Sequence, residues 1–166
     1  MKFEDAAVLA DRIVHCIEHL CDPGKVMVVG SIRRKRTQVH DIDIVLIPQA
    51  WMWNTLIQCV KNDMKAHVVR AGPELATLEV PFGDTNETIS VDIYKARPET
   101  WGVLLLIRTG SKEHNIMMCS KARSLGIMLS AKEGVIKDGK IIASRTEKEI
   151  FQALGMKYVE PENREI

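Results

Sequence analysis

Val26-Met27-Val28-Val29-Gly30-Ser31-Ile32-Arg33-Arg34-Lys35-Arg36, followed five residues later by Asp41-Ile42-Asp43-Ile44-Val45-Leu46-Ile47-Pro48, is the stretch that decides the fold of this chain. Its first half is a short apolar run of strand type, stopped by Gly30-Ser31 and opening into four consecutive cations, Arg33 to Arg36. Its second half is a β-branched strand closed by Pro48. Side chains alternate along a strand, so Asp41 and Asp43 leave one face while Ile42, Ile44 and Leu46 point to the other, into a core. Neighbouring carboxylates on such a strand repel each other, and a divalent cation resolves the repulsion; hard oxygen ligands suit Mg²⁺. An isolated Asp-x-Asp is more often a solvated pair, and an isolated cationic run is often only a charged loop. Here the order matters. A glycine permits close backbone approach, amides and a serine hydroxyl donate to phosphate oxygens, and arginines neutralise them, so the order strand, Gly-Ser, cations, Asp-x-Asp sets a phosphate cradle beside a metal site.

Moving outward, Thr88, Ser90, Asp92 and Tyr94 share one face of a second strand whose other face is Ile89, Val91 and Ile93. If that strand lies beside the first, three carboxylates converge, enough to hold two metals about 4 Å apart, the arrangement that clamps both oxygens of a phosphoryl transfer. Around these strands the pattern predicts an amphipathic helix over residues 4–20, a turn at Asp22-Pro23-Gly24, a helix from about 50 to 61, and strands near 66–70, 75–80 and 87–95. Beyond Arg97-Pro98 the character changes. Helices are predicted over 99–107 and 111–125, on either side of Thr109-Gly110-Ser111. A hairpin turns at Asp138-Gly139, and a last helix opens on the capping-box pattern Thr146-Glu147-Lys148-Glu149. The expected architecture is α+β: residues 1–97 form a mixed sheet with flanking helices, and residues 98–166 form a smaller, mostly helical lobe with a hairpin.

A protein that grips a long duplex through many phosphates usually carries excess Lys and Arg, and the formal charge of +1 over 166 residues does not announce such a grip. Residues 1–97 carry 12 basic and 13 acidic groups and residues 98–166 carry 11 and 9, so the second lobe is the mildly basic one. No apolar run approaches the roughly 20 residues of a membrane span, and the charged start is not that of a signal peptide. Cys16, Cys21, Cys59 and Cys119 show no metal-type spacing and read as free thiols in a reducing cytoplasm. Asp11, His15 and His19 lie on one stripe of the first helix and read as a solvated face, while Trp51 and Trp53 read as packing residues.

Gly30-Ser31-x-Arg33-Arg34 followed by Asp41-x-Asp43 resembles the signature of the polymerase-beta nucleotidyltransferase superfamily. Thr109-Gly110-Ser111-Lys112-Glu113-His114-Asn115 and the ending Lys157-Tyr158-x-Glu160-Pro161-x-x-Arg164 are similar to family X DNA polymerases, in the minimal two-lobe form of small viral members. The resemblance covers the chain from about residue 26. It implies a nucleotidyltransferase palm over 1–97 and a C-terminal nucleotide-binding lobe, thumb or fingers by different conventions, over 98–166. It implies two Mg²⁺ ions, with Mn²⁺ a possible substitute, on the catalytic residues Asp41, Asp43 and Asp92. Gly30, Ser31, Arg34 and His40 would face the triphosphate. Thr109, Gly110 and Ser111 would face the incoming sugar, Lys112 its base, and Asn115 the minor-groove edge. The activity implied is DNA-directed synthesis at a primer 3′-OH, in short-gap repair; template-independent or other nucleotidyl transfer is the alternative. The implied partners are primer–template or gapped DNA, a nucleoside triphosphate and a ligase, for a monomer that is cytoplasmic or nucleoid-associated, with no membrane partner. No further N-terminal lobe is expected.

Four positions depart from the family pattern. His40 stands where a glycine is common before the first aspartate, and Ser90 replaces a frequent arginine near the primer. Ile107-Arg108 stands where Tyr-Phe often discriminates against the ribose 2′-OH, and Cys119 replaces an arginine at the template side. Weaker sugar selection and lower fidelity are the corresponding expectations.

Overall fold

The computed structural model describes all residues, Met1–Ile166, and the chain divides into two compact units, Met1–Lys95 and Ala96–Ile166. In the first, α1 (Phe3–Ile17) leads through a 3₁₀ turn to β1 (Cys21–Val28) and the single helical turn α2 (Gly30–Arg33). There follow β2 (Asp41–Pro48), α3 (Trp53–Asp63), β3 (His67–Ala71), β4 (Leu75–Pro81) and β5 (Thr88–Lys95). The five strands form one sheet in the order β1-β2-β5-β4-β3. Only β2 and β5 run parallel; the other pairs are antiparallel.

The alternation seen in the sequence gives the sheet two unlike faces. Ile42, Ile44 and Leu46 of β2, Ala76, Leu78 and Val80 of β4, and Ile89, Val91 and Ile93 of β5 are all buried in one core. That core is closed by Ala6, Leu9, Ala10, Ile13 and Ile17 of α1 and Leu56, Ile57 and Val60 of α3, apolar positions at helical spacing. The opposite face carries Asp41, Asp43, Thr77, Ser90, Asp92 and Tyr94. Burial on one face thus pins the register that aligns the polar residues on the other.

The second unit comprises α4 (Trp101–Thr109), α5 (Lys112–Ser124), a three-stranded antiparallel sheet of β6 (Met128–Ser130), β7 (Gly134–Lys137) and β8 (Lys140–Ala143), and α6 (Glu147–Ala153). Val103, Leu106, Met118, Ala122, Val135, Ile150, Phe151 and Leu154 form its core. The Thr146–Glu149 capping box is present, and Glu149 Oε1 accepts the amides of Ser144, Arg145 and Thr146. Desolvation pushes that carboxyl up, but the three amides and the Arg145 charge outweigh it and leave it below the usual range. No helix of the chain is long and apolar enough to cross a membrane.

The structure departs from the sequence-based expectation in several places. Asp22-Pro23-Gly24 lies within β1, where the register shifts between Cys21 and Val26, so the turn residues make an irregularity in a strand rather than end an element. Part of the cationic stretch is helical, because α2 coils immediately after β1. Trp53 packs as expected, buried with its indole N–H donating to the Gly72 carbonyl at 2.9 Å, whereas Trp51 is 95% exposed and packs against little. All four cysteines are free thiols. Burial, then the hydrogen bond from its Sγ to Asp63, pushes the Cys16 thiol up to about 12.

Candidate active site

The carboxylate face is set by strand pairing. In the parallel pair, Asp43 stands opposite Asp92 and Asp41 opposite Ser90. Adjacent strands lie about 4.8 Å apart, so the three carboxylates share one small patch across two strands. On the far side of β5, Thr77 of β4 stands opposite Asp92 and its hydroxyl donates to Asp92 Oδ1 at 2.5 Å. The Tyr94 hydroxyl, two residues along the same face, donates to Oδ2 at 3.4 Å. Asp92 is therefore held by two neutral donors, with no arginine needed at Ser90. Asp41 is exposed, while Asp43 and Asp92 are half-buried.

Gly30 closes the patch from the β1 side. The Val29 amide donates to the Asp43 carbonyl at 2.8 Å, which carries the chain past Asp43 just as α2 begins. Gly30 has φ +61°, and a Cβ at this position would overlap the Asp43 carboxylate. Only glycine satisfies both the backbone conformation and the space. Next to it, Ser31 Oγ is buried with no hydrogen-bond partner, a rare condition for a hydroxyl. Arg33 and Arg34 follow, half-buried, and His40 is exposed beside Asp41.

The donor set is all oxygen and lies along one edge, and an unmatched hydroxyl stands at the start of the cationic turn. As they stand, these side chains do not form a group of three arranged to hold a metal ion by themselves. The all-oxygen donor set suits Mg²⁺, which is usually held by one or two carboxylates and completes its shell with water and substrate phosphate.

The other predicted residues belong to the second unit. Thr109 ends α4, Gly110 adopts φ +68°, and the Gly110–Ser111 peptide bond is cis. Ser111 caps α5, its Oγ accepting the His114 amide at 3.2 Å, and is itself buried. Lys112 is exposed at the first position of the helix. Asn115 donates its side-chain amide to the Ile107 carbonyl at 2.8 Å, which leaves its buried Oδ1 unmatched. Cys119 is turned inward, with Sγ 3.9 Å from the Leu129 carbonyl.

Three similarities to known proteins accord with this geometry. The DNA polymerase beta thumb family model matches residues 104–165. The DNA polymerase/3′-5′ exonuclease PolX of Bacillus subtilis (strain 168) is 29% identical over 148 residues, which cover 82% of this chain and 23% of that protein. The crystal structure of Leishmania infantum polymerase beta, in a ternary P/T complex, superposes with a TM-score of 0.84 at 19% identity, covering 100% of this chain and 77% of that one. The last likeness shows the fold. The chain is thus similar to family X, polymerase-beta-like proteins, most directly over residues 104–165. It spans about a quarter of the length of the Bacillus relative.

Two residues that this geometry brings forward, Thr77 and Arg164, carry no assigned role in the sequence. Thr77 and Glu79 alternate with Ala76, Leu78 and Val80, so the position of Thr77 on the carboxylate face was available from alternation once β4 was paired with β5. The burial of Arg164 had no local signal, because its partners lie 17 and 53 residues away.

Proposed function

We propose that the chain is a DNA-directed DNA polymerase that extends a primer 3′-OH with a nucleoside triphosphate, at short gaps of the kind left in repair. The observation that carries this reading is the register pair Asp43–Asp92, with Asp41 on the same face and Gly30 packed against Asp43. Asp41, Asp43 and Asp92 would hold two Mg²⁺ ions, with Mn²⁺ a substitute, and bound there the ions neutralise phosphate charge and acidify the 3′-OH. The protein's own contribution is positioning. Gly30 lets the triphosphate approach the backbone, the unmatched Ser31 hydroxyl donates to a phosphate oxygen, and Arg34 neutralises the β- and γ-phosphates. His40 supplies its amide beside the leaving pyrophosphate. Thr77 and Tyr94 orient Asp92 toward the 3′-OH. Thr109, Gly110 and Ser111 meet the sugar through their backbone, Lys112 lies along the base, and Asn115 reaches toward the minor-groove edge. With no ring at Ile107-Arg108 and Cys119 turned to β6, this reading carries relaxed sugar selection and modest fidelity. A ligase would seal the product.

The test is extension of a labelled primer on one-nucleotide-gapped, recessed and template-free DNA, with dNTP or rNTP and Mg²⁺ or Mn²⁺. The reading expects template-directed addition at the gap, abolished by Asp92→Asn. Equal addition without a template would make the chain a terminal transferase. No addition under any condition, in wild type and variant alike, would overturn both.

A further inference from the structure

Arg164 is the largest fully buried side chain in the protein. A buried guanidinium is costly unless its charge and N–H groups are met. Here Nη1 donates to Glu147 Oε1 at 2.7 Å, itself nearly buried at the start of α6, and Nε donates to the Val159 carbonyl at 2.9 Å, while Nη2 is buried without a hydrogen-bond partner. The guanidinium carbon lies 5.3 Å from the Phe151 ring centre and 5.4 Å from that of Tyr158. Residues 159–164 are thereby tied to α6.

The tie continues into the Thr109-Gly110-Ser111 turn. The Arg164 carbonyl accepts both the Ser111 amide at 3.2 Å and the Ser111 hydroxyl at 2.8 Å. Ser111 Oγ in turn caps α5 by accepting the His114 amide. One carbonyl therefore seats the turn and, through Ser111, the helix start. Stability alone does not call for an ion pair here, since apolar residues of similar volume serve a core as well or better. Geometry does, because the planar guanidinium fork aligns the tail in one orientation.

We infer that Arg164 and Glu147 are positioning residues: their buried ion pair seats the Arg164 carbonyl on Ser111 and so preforms the Thr109-Gly110-Ser111 turn before a nucleotide arrives. The inference rests on that turn being the sugar-facing part of the nucleotide site. Neither side chain touches substrate; both act through the backbone of Arg164.

Glu147→Gln, nearly isosteric, and Arg164→Lys, which keeps the charge but not the fork, test it against Glu160→Gln, an exposed control. Single-nucleotide incorporation is measured well below the unfolding temperature, with the active fraction fixed by burst amplitude, alongside amide hydrogen exchange in the intact chain. For Glu147→Gln and Arg164→Lys, KM for the nucleotide rises about tenfold as the preorganisation is lost, while kcat stays within about twofold. The Ser111 and His114 amides exchange about tenfold faster, with the middle of α5 unchanged. A fall in active fraction with KM and both amides unchanged would overturn the inference and leave a merely structural ion pair. If wild type incorporates nothing, the polymerase reading fails separately, and unchanged exchange at Ser111 still overturns the positioning claim.

Discussion

The two units hold their candidate site residues by opposite means. In the first, Asp41, Asp43 and Asp92 stand on the polar face of a sheet whose other face is buried, so strand register alone aligns them. In the second, the Thr109-Gly110-Ser111 turn depends on a sealed charge, an ion pair and a carbonyl brought from residue 164. The difference separates two kinds of vulnerability. Carboxylates on an open face repel one another, so removing one is expected to spare the fold while abolishing the proposed chemistry. A buried pair has no such slack, and removing one partner leaves an uncompensated charge.

The largest expected effect tests the first side. Asp92→Asn lowers extension on the order of a thousandfold, as for loss of a group that stabilises developing charge, with no fall in melting temperature. A melting temperature that drops with activity would make Asp92 structural. Next, Arg164→Ala costs about 3 to 5 kcal/mol in denaturant unfolding, the range for breaking a buried pair. A loss under 1 kcal/mol would erase the contrast.

Acid should divide the units further. His114 is 1% exposed and both its ring nitrogens lack partners, with Phe151 at 5.9 Å. Burial first, and the Arg164 charge second, push its pKa from 6.5 down to about 4 against the opposing Glu147 carboxylate. The unfolded chain therefore takes up this proton first. The contribution to stability is complete above about pH 6.5 and is lost as the pH falls through about 4, on the order of 3 kcal/mol in all. His114→Leu should flatten that part of the pH–stability curve; an unaltered curve would remove His114 as its source. The smallest effect concerns Thr77. Thr77→Val frees Asp92 Oδ1 and should raise the Mg²⁺ concentration for half-maximal extension about tenfold, as for other residues that orient a metal ligand. No change would mean that Asp92 is oriented without it.

The same contrast explains what the sequence made legible. Period-two alternation in β2 and β5 announced which faces Asp41, Asp43 and Asp92 would share, and the Thr146–Glu149 box announced the start of α6, because both signals are local. The α+β class followed from them. What was not legible depended on distance or on very short elements. The three residues of β6 are too few to show a period, and α2 is a single turn set by its exit from β1. Trp51 and Trp53 look alike in sequence, and only the fold turns one out and the other in. Arg164 stands in the sequence as part of the matched ending, and its burial emerges only when Glu147 and Ser111 are brought to it.

The central claim is that Asp41, Asp43 and Asp92 form one metal-binding edge. Mn²⁺ titration followed by electron paramagnetic resonance, in wild type, Asp43→Asn and Asp92→Asn with nucleoside triphosphate present, measures it directly. The account predicts Mn²⁺ uptake by the wild-type complex beyond that of free nucleotide, and loss of that uptake in each variant with the fold intact. Equal uptake by all three proteins would contradict it.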